Sequence, residues 1–294
     1  MLRRLVFSLF LNWVIAIAPA VAQTLTQSQV RHVVCAEAVW CDITSQIGGS
    51  AVTTQAIVVS PQADPHDVMT SPAMARDIAK ADIVIVNGAE YDEWALRLAA
   101  TSRGAGRETL DVGRLTRASP DANPHLFDDL GVVEAFAHHM TAELIGNQPR
   151  KAPKLMQRAS AFDGAIERLR QRVVSVKSEV TGKRIVATEP VGGALFTALG
   201  LEVICPRFAL AVMHHTEPAP RDLALVEGAL ETGQAAALIF NPAVTSPALN
   251  GLVDTARAHG VPVVPMSEMP MPGQHWQDWY EGRLTMLKQA LSVR

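Results

Sequence analysis

Apolar runs rich in β-branched residues alternate with stretches of helical period along most of the chain. Arg31–Ala36 reads as a strand and leads into a helix to about Ile47, closed by Gly48-Gly49. Val52–Val59 reads as the next strand. Ser71–Lys80 reads as a helix, with Ser71 as N-cap and Pro72 at the first helical position. Ile83–Val86 is a short apolar strand that turns out at Asn87-Gly88. A helix follows from about Tyr91 to Ala100, and Glu108–Val112 is a weaker fourth strand. Strands separated by helices predict parallel βαβ units.

The middle of the chain breaks this rhythm. Between Pro153 and Val180 the apolar residues are Leu155, Ala159, Phe162, Ile166, Leu169, Val173, Val176 and Val180. They recur at alternating steps of four and three, the stripe of one continuous helix. About 28 residues would run about 42 Å at the α-helical rise. Half of a coiled-coil dimer would give the same stripe, but α/β patterns flank it on both sides and favour one helix braced against two lobes. Gly182 stops it. The alternation then restarts. Arg184–Thr188, Leu201–Cys205, Ala236–Phe240 and Val261–Met266 read as strands, with helices at Val191–Leu199, Pro220–Thr232 and Pro247–His259. The fold class is therefore α/β: two parallel-sheet lobes joined by one long backbone helix, with a cleft between the lobes. The divisions are 23–150 for the first lobe, 151–182 for the linking helix and 183–294 for the second lobe.

Residues 1–22 stand apart. Met1–Arg4 is short and basic, Leu5–Ile17 is almost wholly apolar, and Ala20-Val21-Ala22 fits a small-residue cleavage site. This is the pattern of a cleavable secretory signal, and its apolar run is shorter than a comfortable membrane span. An exported protein beginning near Gln23 is expected, rather than one held by an uncleaved anchor. With 48% hydrophobic and 19% charged residues, the chain is too apolar to be disordered. A formal charge of −3 offers nothing to recruit nucleic acid. Three cysteines make an odd count. Cys35 and Cys41 could pair, but one falls on a predicted strand and the other on a helix. Three small buried side chains are therefore the preferred reading.

Candidate chemistry lies at strand ends. Asp64-Pro65-His66 follows the strand ending at Val59, and Asn123-Pro124-His125 lies beyond the one ending near Val112. Thr188-Glu189-Pro190 closes the first strand of the second lobe, and Ser267-Glu268-Met269-Pro270 lies just past Met266. Ligands of parallel α/β sheets bind beyond the carboxyl ends of strands. Two imidazoles and two carboxylates form a sensible donor set for a divalent transition metal, whose charge the two acids would neutralise. The other candidates are weaker. His214 and His215 are adjacent and diverge, and His138-His139 reads as a surface pair on a helix. His275 could approach the metal or rim the cleft, and Asp64 and Asp128 could accept from ligand imidazoles. Trp276 and Trp279 read as core.

These residues resemble the metal-binding solute receptors of bacterial zinc/manganese importers, the family often called cluster A-I. Asp64-Pro65-His66-Asp67 is similar to its D-P-H motif, and Asn123-Pro124-His125-Leu126 to its N-P-H motif. Ala187-Thr188-Glu189-Pro190 resembles the third ligand segment, where many zinc members carry His. Val263–Pro270 with Trp276-Gln277-Asp278-Trp279 resembles a branch's C-terminal segment, with Glu268 where an acidic ligand is usual. Asn87–Trp94 and His215-Thr216-Glu217-Pro218 look like the same branch. The second motif departs from the family's H-x-W-x-D-P, reading His125-Leu126-Phe127-Asp128-Asp129-Leu130, and no His-rich loop precedes it, which weakens zinc relative to manganese. The resemblance implies a monomeric periplasmic receptor that holds zinc or manganese with His66, His125, Glu189 and Glu268. It would deliver the ion to an inner-membrane ABC permease, with no catalytic step and no nucleic acid. The rival is a secreted metal-dependent hydrolase using the same four residues, though no H-E-x-x-H or similar compact signature occurs. A metal-independent receptor or adhesin is a third reading.

Overall fold

The computed structural model describes residues 29–101, 106–119 and 123–292. The proposed secretory signal lies outside them. The first lobe holds β1 (Arg31–Glu37), α1 (Ala38–Gly48), β2 (Val52–Val58), α2 (Pro72–Lys80), β3 (Ile83–Val86), α3 (Glu93–Thr101), β4 (Glu108–Asp111) and α4 (Val112–Thr116). Its four strands are parallel and ordered β2-β1-β3-β4, with Val33 opposite both Thr54 and Ile83. Helices cover both faces, so β1 and β3 are buried along nearly their whole length and read as continuous apolar runs.

Two helices lead out of this lobe, α5 (Leu130–Asn147) and α6 (Ala152–Val180). The second lobe follows with β5 (Arg184–Ala187), α7 (Gly193–Leu199), β6 (Glu202–Val203), α8 (Pro206–Met213), α9 (Pro220–Glu231), β7 (Ala237–Phe240), α10 (Pro247–Ala258), β8 (Val263–Pro265) and α11 (Trp276–Ser292). Its parallel order, β6-β5-β7-β8, repeats that of the first sheet. Serine caps start the helices whose sequences announce them. Ser71 Oγ accepts from the Met74 amide and Ser246 Oγ from the Leu249 amide, each with proline next in line.

The stripe on α6 is buried as its spacing predicts, with Ala165 added to the eight expected residues. It does more than link. One continuous apolar cluster takes in Val33 and Ile85 of the first sheet, Phe162 and Ile166 of α6, Ile185 and Ile239 of the second sheet, and Leu284 of α11. The lobes therefore share a core. α11 closes this arrangement by returning to the first lobe. The Trp276 amide donates to Asp42 Oδ2 at 2.7 Å, and its indole donates to the Phe127 carbonyl at 3.1 Å. Trp276 and Trp279 are core residues, as expected.

The structure departs from the sequence reading at the cysteines. Cys35 and Cys41 form a disulfide, with Cα atoms 5.6 Å apart, and Cys205 is free. β1 passes into α1 with no intervening loop, so the first turn of the helix carries Cys41 back alongside the end of the strand. α5 was read only as a helical stretch around His138-His139, without bounds, and α8 was not read as an element. The strand expected over Leu201–Cys205 shrinks to two residues. The helix expected from Tyr91 begins at Glu93, because the Asp92 carboxylate accepts from the amides of Asn87 and Gly88 and holds a turn ahead of it.

Candidate metal centre

Every polar group of interest lies just past the carboxyl end of a strand, and the two sets of strand ends face each other across the cleft. From the first lobe come the loop after β2, carrying His66, the turn after β3, carrying Tyr91, and the segment after β4, carrying His125. From the second come Glu189 after β5, Asn241 after β7 and Glu268 after β8.

Glu268 is the hub. Its Oε2 lies 3.0 Å from His125 Nε2 and 3.7 Å from His66 Nε2, and it accepts from the Tyr91 hydroxyl at 2.8 Å. His66, His125 and Glu268 each present a donor atom within 4.8 Å of the other two. Glu189 is not part of that trio but is tied to it through one amide. Asn241 Nδ2 donates to Glu189 Oε2 at 2.5 Å and to Glu268 Oε1 at 2.7 Å. The structure thus brings three of the four expected residues together and sets the fourth one bridge away. All of them are buried or nearly so.

The supporting contacts aim the imidazoles. Asn123 Oδ1 accepts from the His125 backbone amide and lies 2.7 Å from His125 Nδ1, while Asn123 Nδ2 donates to the Pro190 carbonyl. These partners fix which end of the amide is oxygen, so Nδ1 donates to it and the ring is turned with Nε2 facing Glu268. The Asn123 amide passes close over Gly193, where a Cβ would come within 2.2 Å of Nδ2. His66 stands in an Asx turn, its amide donating to Asp64 Oδ1 at 2.8 Å, and the Trp94 indole holds the preceding Pro65 carbonyl. His66 Nε2 is buried with no hydrogen-bond partner, and so is Glu189 Oε1.

The electrostatics follow from burial. Desolvation pushes His66 down to about 4, so its ring is neutral at physiological pH. Desolvation, with the charge of Glu268 adding to it, pushes Glu189 up to about 8. Burial also acts to raise Glu268, but His125, His66 and the Tyr91 hydroxyl outweigh it and hold that carboxyl below its ordinary range. Just beneath lies a second acid pair. Glu37, at the end of β1, is completely buried beside Asp92, with neither oxygen in a well-formed hydrogen bond. Burial and the Asp92 charge push it well up, and burial pushes Asp92 up to about 7. A cavity of about 500 Å³ flanks His125 and Glu189, walled mainly by apolar groups such as Leu126, Val132 and Phe196.

Several expectations are corrected. His275 does not reach the trio; its Nδ1 lies 2.8 Å from Asp42 Oδ1 at the exposed start of α11. Asp128 supports no imidazole: it pairs with Arg283 and accepts from the Gly192 amide. Asp64 serves the backbone of His66 and faces His215. His138 lies on the surface beside Asp163, as expected, within a further group containing Glu134, but both Glu134 oxygens are taken by Arg170. The sequence reading missed Tyr91 and Asn241 as parts of the site. Asn241-Pro242 carries the same signature as Glu189-Pro190, a polar residue before proline at the end of an apolar strand.

Residues 33–290 match the family model for the periplasmic zinc-uptake complex component A, ZnuA. Among solved structures, the chain is similar to the periplasmic zinc-binding protein TroA from Treponema pallidum, at 17% identity and a TM-score of 0.73, covering 90% of this chain and 100% of that one. It is similar to a Mn-bound S38A mutant of a periplasmic metal-binding protein from Candidatus Liberibacter asiaticus, at 16% identity and 0.70, covering 89% and 99%. It is also similar to Fe(III)-bound YtgA from Chlamydia trachomatis, at 15% and 0.70, covering 89% and 98%.

Proposed function

The chain belongs to the ZnuA family of periplasmic metal receptors that serve ABC importers, and on that premise we propose that His66, His125, Glu189 and Glu268 together hold its cargo, a zinc or manganese ion. The observation that carries the ligand set is the meeting of three donors within 4.8 Å, drawn from both lobes, with His66 Nε2 buried and unpartnered. A buried imidazole nitrogen with nothing to bond is expensive unless an ion takes it. Glu189 completes the set by charge: two carboxylates offset a dication, and its Oε1 is free to join them. The Asn241 amide links the two acids, donating to one oxygen of each.

The reading extends to the rest of the molecule. Met1–Ala22 is removed on export, the mature protein is a monomer, and an inner-membrane permease receives the ion. No described helix is long and apolar enough to cross a membrane. A hydrolase at the same residues gains no support from membership of a receptor family. The shared core argues for small lobe and loop movements, not wide hinge opening, as the route for capture and release.

Titration calorimetry with zinc and with manganese tests the ligand set on the wild type, His66→Ala, Glu189→Gln and Glu268→Gln. Loss of a supporting group around a metal typically weakens binding about 10–100-fold, so loss of a ligand should exceed that. A Gln variant that binds both metals like the wild type removes that residue from the set. A wild type that binds neither refutes the whole assignment. Intact-mass measurement of the exported protein should find it beginning at or near Gln23.

A further inference from the structure

The loop that carries His66 is lightly held. Within the first lobe its ties are the Asx turn at Asp64, the Trp94 indole on Pro65, two turn bonds to Ser60 from Gln62 and Ala63, the His66 ring against Tyr91 and His125, and partial packing of Ala63 and Val68. Met69, three residues on, is 90% exposed. From the opposite lobe, Glu268 approaches the His66 ring and Met269 shares the cluster of Ala63 and Val68, and a further polar contact comes from α8's end. His215 Nε2 lies 3.4 Å from Asp64 Oδ2, the carboxylate oxygen not used by the His66 amide.

His215 occupies an unusual place for its type. α8 ends in a paired cap in which the His215 amide donates to the Val212 carbonyl and the Thr216 amide to that of Ala211, both at 2.9 Å. This Schellman geometry puts His215 in the left-handed region, at φ +52°. Helix capping alone selects glycine at such a position, because a Cβ there is strained. The chain instead carries a ring, and the cap points it across the cleft at Asp64. The Thr216 hydroxyl bonds the Ala211 carbonyl as well, so the direction is fixed. A disfavoured backbone conformation kept at a contact between lobes is the kind of local strain that function retains.

We infer that His215 is a positioning residue of the metal centre: reaching from the second lobe, it braces Asp64 and with it the turn that presents His66, and so retards release of the bound ion. The inference rests on the ligand set proposed above. The ring acts as a strap over one ligand loop and is not itself a ligand.

The test separates bracing from folding, because the two pull in opposite directions at this residue. His215→Gly removes the ring and relieves the left-handed strain. The metal-free variant should melt at or above the wild-type temperature. Release of zinc into excess chelator, followed by stopped flow, should quicken about fivefold, the upper end of what a half-exposed polar side-chain contact contributes. Asp64→Asn keeps an acceptor for the His66 amide and should quicken release similarly. The double variant should release no faster than either single one, since both remove the same contact. Wild-type release rates in His215→Gly overturn the inference, as does full additivity in the double variant. A wild type that binds neither zinc nor manganese overturns the ligand set and the bracing together. A wild type that binds, with unchanged release in the glycine variant, overturns the bracing alone.

Discussion

Asp128→Ala should be among the most destabilising single changes in this protein, and the structure gives the size. Asp128 closes the short turn after His125 and is 1% exposed. One of its oxygens accepts from the Arg283 guanidinium, and the other accepts from the Gly192 amide at 2.6 Å. Arg283 is equally buried. It lies over the Trp279 ring, 4.3 Å from its centroid, and its Nε and Nη2 have no hydrogen-bond partner. The alanine variant leaves a whole guanidinium charge in the interior and a backbone amide with no acceptor. Breaking a buried ion pair from one side costs about 3–5 kcal/mol. Against a total stability of about 5–15 kcal/mol, that is a large fraction. Urea unfolding of the metal-free protein at neutral pH measures it. Asp128→Ala combined with Arg283→Met removes both charges, keeps an apolar chain against Trp279, and should recover much of the loss. The contact also joins the segment after His125 to the one after Glu189, so metal affinity should fall in the single variant. A loss below about 1 kcal/mol, or a double variant no more stable than the single one, refutes the reasoning.

Three further outcomes are expected. Replacing Cys35 and Cys41 by alanine opens a bridge between residues six apart in sequence, and the short closed loop puts the loss at about 2 kcal/mol; reduced and oxidised wild type compared by urea denaturation should differ similarly. Glu37 has a native pKa raised by burial, so its contribution is complete below its unfolded pKa and is lost as pH rises toward the native value; Glu37→Gln should therefore flatten the decline of stability that sets in above about pH 4.3 and leave stability below it unchanged, as chemical denaturation across pH will show. Asn241→Ala deprives both Glu189 and Glu268 of their shared donor; the metal-free melting temperature should drop, and the rise on adding zinc should exceed that of the wild type, because the ion replaces what the amide supplied.

How much of this was legible depended on whether burial was one-sided. The stripe on α6 could be read because the other face of that helix is wet, leaving its apolar positions in clean register. α5 buries Val133, Phe136, Ala137, Met140 and Leu144 while Leu130, Val132 and Ile145 also pack on the core, so apolar residues spread around its circumference and the period blurs. α8 is eight residues long and gives periodicity little to show. The disulfide was hidden for a different reason. A strand and a helix were correctly placed at Cys35 and Cys41, but no residue pattern says that the chain reverses between them without a loop.

The site was legible in its charges and opaque in its neutral parts, and the difference is physical. His66, His125, Glu189 and Glu268 advertise themselves as donors, each close to a proline at a strand end. Asn241 and Tyr91 are neutral hydrogen-bond donors to the acid groups, so a search for charged or imidazole donors passes over them. Glu37 is one acid at the end of the apolar run Val33–Ala36 and gives no sign of its neighbours. Together the interior holds Glu37, Asp92, Glu189 and Glu268 near the two sets of strand ends, while Arg283, the only buried lysine or arginine among the described residues, is committed to Asp128. Burial first, and the neighbouring acid charges after it, raise Glu37, Asp92 and Glu189 and favour their protonated forms. A dication placed among these donors relieves this excess of buried acid directly. The same crowding of acid at the strand ends is what would favour a dication there.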